Sequence, residues 1–277
     1  MTAPALAAPA RVTSRRPRRL LPRRLWPALF VGIVIVFLFA PIVVVVVFAF
    51  NEIPRMALPI TGLSTRWFEE VYADPQVRQA LSRSVIAAII TALIAGPLGV
   101  AAAIGLHAVS ERMRHVLLGA VLLPIAVPGL LLAIGLAMYY RGALDMRGSL
   151  GAAIVGHILL ALPFVILTMN AAVTNFRFSL LEAARDLGAT GFSAFRTVML
   201  PLIRPALEGA MLLAAAISVD EFIITLFTAG REMTLPVLIW GRIQRSVDPS
   251  LNALATTLIV ATTILALLAA RRATVKL

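Results

Sequence analysis

The sequence predicts an all-α polytopic membrane protein with six transmembrane helices. Sixty per cent of its 277 residues are hydrophobic and only 14% are charged, which is not the composition of a soluble globular domain. The charges are also segregated and leave long apolar runs, and a helix needs about 20 such residues to span a bilayer core. Six runs satisfy this requirement: 26–50, 84–106, 116–140, 151–173, 205–229 and 251–270.

Several kinds of chemistry are excluded by what the sequence lacks. It contains no phosphate-binding loop of the G-x-x-x-x-G-K-[ST] type and no cysteine, which excludes nucleotide hydrolysis by that route and any thiol chemistry. The histidines, His107, His115 and His157, have no metal-ligand spacing to one another. We therefore expect no catalytic residue, no metal site and no cofactor bound by this chain. His157, inside the fourth span, is expected to hydrogen-bond to a neighbouring helix.

The net charge of +12 would suggest nucleic acid in a soluble protein, but here the positive-inside rule explains it better. If the N-terminus is cytoplasmic, most of the 25 Lys and Arg residues fall on the inner side. We therefore predict cytoplasmic N- and C-termini and no nucleic-acid partner. Residues 1–25 are predicted to be a basic, disordered cytoplasmic arm and residues 26–277 a transmembrane domain. The arm either binds anionic membrane lipid or only fixes the topology.

The first span and the loop after it follow from length and polarity. Residues 26–50 are too long for the apolar segment of a signal peptide, so we predict a retained signal-anchor span. Residues 51–79 are polar and should form the first outer loop, with a short helix near residues 67–72. Trp67 and Tyr72 there suit either an interfacial aromatic belt or a contact with a partner protein.

The third span contains helix-breaking residues. Pro124 and the sequence Val127-Pro128-Gly129 should kink or break the helix, because proline lacks a backbone N–H and its ring clashes with the preceding turn. Freed backbone groups are tolerated in lipid only inside protein or beside a wet cavity, and transporters use such discontinuities along substrate pathways. Pro124 and Pro128 are therefore candidate pathway residues, with a simple packing kink as the alternative.

The fifth span carries two adjacent acids, Asp220 and Glu221. In a continuous helix, Asp220 would lie roughly 23 Å from Pro205, in the outer third of the core. An acid at the helix centre costs about 2.5–3.5 kcal/mol on insertion scales, so both acids need partners or water. They are candidates for a cation pathway. The alternatives are an ion pair with an arginine such as Arg83, or a contact between subunits.

The long polar segment between the fourth and fifth spans is predicted to form a helix, a turn and a second helix. Ser179 and Glu182 have the spacing of a capping box at a helix start. Gly188 lies where that first helix should end, since glycine can adopt the left-handed conformation of a C-cap. Thr190 or Ser193 begins the second helix. Such a compact helical hairpin is typical of an element that docks onto a soluble partner.

The same segment resembles the EAA motif of the permeases of ATP-binding-cassette (ABC) importers. That motif reads E-A-A, three residues, G, nine residues and I-x-L-P, and valine replaces the isoleucine here. The matching residues are Glu182, Ala183, Ala184, Gly188, Val198, Leu200 and Pro201. In that family the loop is the coupling helix that docks into a cytoplasmic ATPase. The resemblance implies that the coupling hairpin, at about residues 176–204, transmits ATPase motion, and that Val198 is the one departure from the motif.

Other stretches resemble spermidine/putrescine permeases of the PotC type. They are Gly62-Leu63-Ser64, Trp67-Phe68, Asp74-Pro75, Val219-Asp220-Glu221-Phe222, Thr234-Leu235-Pro236, Asp248-Pro249 and Asn252-Ala253-Leu254. The resemblance covers nearly all of the chain beyond the N-terminal arm. It implies the type I ABC importer (MetI-like) permease fold in a bacterial cytoplasmic (inner) membrane.

The resemblance also implies a function and an assembly. The function is that of the permease subunit of a binding-protein-dependent polyamine importer, which is not itself an enzyme. Its partners would be an ABC ATPase dimer that binds ATP and Mg, a second homologous permease subunit and an extracytoplasmic solute-binding protein. The runner-up solutes are opines, aminophosphonates or other small organic molecules. An ion-driven secondary carrier, with Asp220 and Glu221 as ion sites, would leave the coupling hairpin unexplained.

Overall fold

The computed structural model describes residues 25–53, 60, 62–245 and 249–273, and almost all of them are helical. The helices are α1 (Leu25–Ala49), α2 (Arg66–Ala73), α3 (Pro75–Ala108), α4 (Glu111–Ala126), α5 (Gly129–Gly142), α6 (Leu150–Thr174), α7 (Ser179–Asp186), α8 (Gly191–Ala194), α9 (Leu200–Asp220), α10 (Ile223–Thr228), α11 (Leu235–Ile243) and α12 (Pro249–Ala273). A π-helical turn, Phe195–Met199, joins α8 to α9. The predicted basic arm, apart from Leu25, lies outside the described residues, as does Asp248.

The chain divides into two compact units, residues 1–44 and 45–277. The described part of the first unit is helical and belongs to α1. That helix confirms the first predicted span, since its segment Trp26–Ala49 has a mean hydropathy of 3.3. The core and all the sites considered below lie in the second unit.

All six predicted spans correspond to apolar helices in the structure, five of them as single helical segments and the third as a bent pair. Five of the described helical segments are long and apolar enough to cross a membrane: Trp26–Ala49, Pro75–Ala108, Leu150–Thr174, Gly191–Asp220 and Pro249–Arg271. The remaining predicted span corresponds to α4 and α5, which are long and apolar enough only when taken together and which meet at an angle of 93°. The bend falls between Ala126 and Gly129, so the predicted effect of the Val127-Pro128-Gly129 sequence is also confirmed.

The fifth predicted span, 205–229, was wrong in its continuity. Its helix begins earlier, in a helical segment that starts at Gly191, and it ends at Asp220. A separate helix, α10, follows after Glu221 and Phe222. No proline or glycine lies at this break, so no local pattern predicts it.

The core is built where α3, α6 and α9 pack against one another. Its buried side chains are mostly small: Ala95, Val100, Ala103, Ala161, Val165, Met169, Val173, Met199, Ile203, Ala206, Ala210 and Ala214. Small residues allow helices in lipid to approach closely, and this close contact replaces the hydrophobic drive available in water. At Gly99 an added β-carbon would lie 2.4 Å from Val165 Cγ1, so the α3–α6 contact tolerates no side chain there.

A second cluster of buried residues surrounds α2, the short helix predicted near residues 67–72. Trp67 is 5% exposed and donates its indole N–H to the carbonyl oxygen of Asn51 at 2.6 Å. Both proposed positions for Trp67, at a lipid interface or against a partner, are therefore wrong. The tryptophan instead holds the chain that leaves α1 against α2.

Asp74 connects the start of α3 to α11. Its carboxylate accepts hydrogen bonds from the Gln76 N–H at 2.7 Å and from the Arg242 guanidinium. Burial alone would raise the pKa of Asp74, but the hydrogen bonds from Arg242 and Gln76, with the charge of Arg242, outweigh burial and hold the pKa below its ordinary value. The carboxylate thus acts both as a helix cap and as one half of an ion pair.

Candidate coupling and pathway residues

Gly188 ends α7 in the left-handed conformation that the sequence predicted. Its φ is +89°, its N–H donates to Arg185 O at 2.8 Å, and the Ala189 N–H donates to Ala184 O at 3.0 Å. These are the two bonds of a Schellman motif. The space where a β-carbon would lie is open, so a side chain at position 188 would be resisted by backbone strain rather than by a clash.

The two predicted helix starts in the hairpin have different outcomes. The capping box of Ser179 and Glu182 does not form, because the N-cap of α7 is Phe178 and Ser179 is already the first helical residue. Phe178 has a helical backbone and makes no side-chain cap. The second start is confirmed at Thr190, whose hydroxyl accepts the Ser193 N–H at 3.2 Å.

One side of the coupling hairpin rests on the ends of the spans. The Phe178 ring stacks on His107, in the last turn of α3, with centroids 4.1 Å apart and planes 3° from parallel. Phe176 meets the Phe178 ring edge-on at 5.3 Å. Phe176, Phe178, Leu181 and Phe195 all pack against the α3–α6–α9 core. A displacement of α7 would therefore be felt directly by these three helices.

The other side of the hairpin is largely exposed in the described part of the chain. Of the motif residues, Glu182, Ala183, Gly188 and Pro201 are exposed, while Ala184 and Leu200 are half-buried.

Two further apolar side chains flank the hairpin's turn, Leu187 at 90% and Phe192 at 72% exposure. Large exposed apolar side chains on both sides of one turn are candidates for a contact with a partner. Neither residue was predicted as a site residue, although apolar residues on both sides of a polar turn are a signal that the sequence displays.

The break between α4 and α5 places one of the two pathway prolines next to α10. Pro128 is the N-cap of α5 and is exposed, whereas Pro124 remains inside α4 and is half-buried. A β-carbon on Gly129 would lie 3.9 Å from Ile223 Cδ1. The start of α5 therefore lies beside the start of α10, and the two helix breaks are neighbours.

The two acids at the α9–α10 break have different environments, as expected from their adjacent positions. Asp220 ends α9 and is exposed. Glu221 is half-buried and has an extended backbone, and its carboxylate accepts the Ile224 N–H at 2.9 Å. Neither acid forms an ion pair among the described residues, so the suggested pair with Arg83 is not found.

Both acids line an open cavity of about 450 Å³ between α9 and α12. Thr262 and Thr263 also line it, together with the apolar residues Ala216, Ile217 and Ala266. Carboxylate and hydroxyl oxygens are hydrogen-bond acceptors, and they suit the N–H groups of an ammonium ion. Within the described residues, no three His, Asp or Glu side chains come together as metal ligands would.

His157 is completely buried and hydrogen-bonds to two other helices, which confirms the prediction made for it. Its Nδ1 lies 2.8 Å from Ser218 Oγ on α9, and its Nε2 lies 2.8 Å from Thr225 Oγ1 on α10. The histidine therefore bridges the α9–α10 break from α6.

Comparison with known proteins is consistent along most of the chain. Residues 95–274 match the family described as "Binding-protein-dependent transport system inner membrane component". The chain is 29% identical over 232 residues to the spermidine/putrescine transport system permease protein PotC of Escherichia coli (strain K12), covering 83% of this chain and 87% of PotC. It is 31% identical over 242 residues to the putrescine transport system permease protein PotI of the same strain, covering 84% and 85%.

Solved structures give the same fold at lower identity. A chain of the bacterial ABC transporter involved in the import of the acidic polysaccharide alginate superposes with a TM-score of 0.65 at 17% identity, covering 91% of this chain and 96% of that one. A chain of the MetNI methionine ABC transporter, in inward-facing conformations, gives a TM-score of 0.55 at 19% identity, covering 72% and 97%. At these identities the likeness concerns the fold, and it confirms the predicted type I importer permease fold.

Proposed function

The chain belongs to the family of binding-protein-dependent transport system inner membrane components, and from this premise we propose that it is the permease subunit of an ABC importer for polyamines. The observation that carries the proposal is the coupling hairpin, whose Schellman turn at Gly188 presents an exposed apolar pair. The solute class is supported by the names of the relatives PotC and PotI, and by the two acids beside the cavity.

One side of the coupling hairpin is exposed to a partner, and the other side packs against the spans, so a movement of the partner would be transmitted to the spans. Leu187 and Phe192 face outward, where a groove of an ATPase would hold them. Behind them, Phe178 and its neighbours pack on the ends of α3, α6 and α9. Closure of an ATP- and Mg-bound ATPase dimer would move α7, and these packed helices would move with it. The chain itself supplies no nucleotide chemistry.

The polyamine would move along the cavity beside the α9–α10 break. A polyamine carries several ammonium groups, and the exposed Asp220 carboxylate offers one of them an attractive charge in a region of low dielectric. A second permease subunit would complete this pathway, and a solute-binding protein would load it from the side opposite the hairpin. In the proposed topology, both termini and the hairpin are cytoplasmic because basic residues dominate that side.

The assembly is tested by affinity purification of the tagged chain in mild detergent, with identification of the proteins that co-purify. The expected result is a stoichiometric ATPase and a second permease. A chain recovered alone that still supports ion-driven uptake would overturn the proposal in favour of a secondary carrier.

The docking surface is tested by Leu187→Asp. Because Leu187 is 90% exposed, the chain should fold and insert as before, but less ATPase should be recovered with it. The matched control is Leu63→Asp, a 78% exposed leucine on the other side of the membrane in the proposed topology. Equal ATPase recovery from both variants would remove the hairpin from the interface.

The solute is tested with the purified complex in proteoliposomes, supplied with its binding protein, ATP and labelled spermidine or putrescine. Uptake that unlabelled polyamine competes away, and that an opine or an aminophosphonate does not, is the expected result. Asp220→Asn combined with Glu221→Gln should slow polyamine uptake. Unchanged uptake by that double variant would show that these acids do not act on the cation.

A further inference from the structure

A continuous series of hydrogen bonds crosses the α9–α10 break through His157. We propose that His157 is a positioning residue for transport: as a neutral ring with its hydrogen on Nε2, it fixes α10 relative to α9 and thereby sets the position of Glu221 beside the cavity. The transport consequence depends on the function proposed above. The state of the ring does not, because it follows from the hydrogen-bond geometry alone.

The Glu221 side of the series determines where the ring hydrogen lies. The Thr225 hydroxyl donates to the Glu221 carbonyl oxygen at 3.1 Å, and this uses its only hydrogen. The contact of 2.8 Å between Thr225 Oγ1 and His157 Nε2 must then be donated by the ring. Nε2 therefore carries a hydrogen.

The opposite side of the ring is an acceptor. The Thr91 hydroxyl, on α3, donates to Ser218 Oγ at 3.3 Å. The hydrogen of Ser218 remains available, and its only partner in the series is His157 Nδ1 at 2.8 Å. With Nδ1 accepting and Nε2 donating, the ring is neutral, and all the bonds of the series run in one sense from α3 to Glu221.

This series is shielded from solvent within the described part of the chain. His157 and Thr91 are 0% exposed, Thr225 is 1% and Ser218 is 2% exposed. A buried group that loses its partner has no water to replace it, so each bond costs more to break than to form. A substitution of one side chain in the series should therefore also weaken the hydrogen bonds of the side chains next to it.

A second contact at the neighbouring residue also holds α6 against α10. At Gly156 an added β-carbon would lie 2.4 Å from Ile224 Cγ2, so the two helices touch at the backbone of α6. The contact lies next to His157, whose ring reaches both Ser218 and Thr225 at 2.8 Å. Close packing and hydrogen bonding thus both hold α10 in the same position against α6.

Glu221 depends on that placement twice. Its carbonyl accepts the Thr225 hydroxyl, and its carboxylate accepts the Ile224 N–H, so both groups follow α10. His157 does not line the cavity and would not touch a solute. Its influence on transport is exerted through Thr225 and the position of Glu221.

The ring state is tested by nitrogen NMR of the assembled complex with ¹⁵N-labelled histidine. Only three histidines are present, and the resonances that disappear in His157→Gln identify this one. The expected spectrum shows a hydrogen on Nε2 and none on Nδ1. A doubly protonated ring, or the tautomer with hydrogen on Nδ1, would overturn the proposal whether or not any variant folds well.

The positioning role is tested with two matched substitutions that each keep one bond. The amide nitrogen of His157→Gln reaches the position of Nε2 and can still donate to Thr225, whereas the amide oxygen of His157→Asn reaches the position of Nδ1 and can only accept from Ser218. We expect the Asn variant to lower Vmax/KM for spermidine by about tenfold, as loss of a buried hydrogen bond would, and the Gln variant to lower it by at most about threefold.

The comparison is made on assembled complexes of both variants, normalised to the amount of complex recovered. Equal kinetics in the Gln and Asn variants would refute the link to Glu221. If the complex takes up no polyamine but accepts another solute, the same comparison is made with that solute, and the function proposed above fails while the positioning role is still judged. The expected ring state together with equal kinetics would leave His157 as a purely structural residue and reject its role in transport.

Discussion

Two spans of this molecule are broken, and the breaks have opposite causes. Between α4 and α5 the chain turns by 93° at Pro128, a residue that has no backbone N–H to continue a helix. Between α9 and α10 there is no proline or glycine, and side chains hold the break instead: the Glu221 carboxylate caps α10, and His157 bridges the two helices.

The two breaks differ in which residues are needed to form them. A proline break is encoded by one residue and needs no support from other helices. The α9–α10 break depends on polar groups contributed by α3, α6, α9 and α10. It should therefore be far more sensitive to single substitutions at distant positions, and the four predictions below test this contrast.

The largest effect is expected from Gly156→Ala, which would force α6 and α10 apart. Ile224 is β-branched and stiff in a helix, so the clash at 2.4 Å cannot be relieved by a simple rotation. Overpacking of this kind costs about 1–3 kcal/mol, and we expect lower thermal stability of the complex and loss of uptake. The control is Gly135→Ala on α5, where no atom lies within 4 Å of the added carbon. If the Gly156→Ala complex were as stable as the Gly135→Ala complex, the α9–α10 break would not depend on close packing between α6 and α10.

The next effect concerns the cap of α10. Glu221→Ala leaves the Ile224 N–H without its acceptor, and loss of such a cap costs about 0.5–2 kcal/mol. Glu221→Gln keeps an oxygen acceptor in the same place, so it should retain most of this stability in thermal unfolding of the complex. If the Gln variant unfolds as easily as the Ala variant, charge rather than capping is what Glu221 contributes.

A smaller effect is expected at the proline break itself. Pro128→Ala should reduce stability by about 0.4–1 kcal/mol, since the main contribution of this exposed proline is to restrict the unfolded chain. Denaturant unfolding of the complex measures it. A loss greater than that of Glu221→Ala would reverse the order of the two breaks and show that the proline break is the more heavily supported one.

The smallest effect sharpens the contrast between buried and exposed polar links. The pKa of Asp74 is held below its ordinary value of 3.8, so the Asp74–Arg242 pair stabilises the fold above that pH and is lost as the pH falls through the lowered pKa. The unfolding temperatures of the wild type and of Asp74→Asn should therefore differ slightly at pH 7 and converge as the pH falls through the lowered pKa of Asp74. If the two unfolding temperatures still differ in acid, the charge of Asp74 is not the source of its contribution to stability.

Local signals were enough to predict much of the fold and part of the candidate site. The apolar runs gave the spans, Pro128 gave its break, and Gly188 and Thr190 gave the turn of the coupling hairpin. In each case the physical cause lies within a few residues of its effect. The fold class needed nothing that is distant in the sequence.

The failures share the opposite property. The break after Asp220 is held by His157, whose hydrogen-bond partners Ser218 and Thr225 lie 61 and 68 positions away in the sequence. Trp67 is buried because a carbonyl 16 positions earlier accepts its N–H. The capping box at Ser179 failed because Phe178 is anchored by stacking on His107, which starts α7 one residue early. Such contacts have no periodicity that a single sequence can display.

The π-helical turn at Phe195–Met199 has a consequence for how the docking surface is aimed. A π-turn is equivalent to one residue inserted into an α-helix. Deleting one residue there would restore regular winding and rotate the segment before it by about 100° around the axis of α9. Leu187 and Phe192 would then face a different direction around that axis, although neither side chain had been changed. The direction in which the docking surface faces is thus set by the number of residues in the π-helical turn as well as by their types.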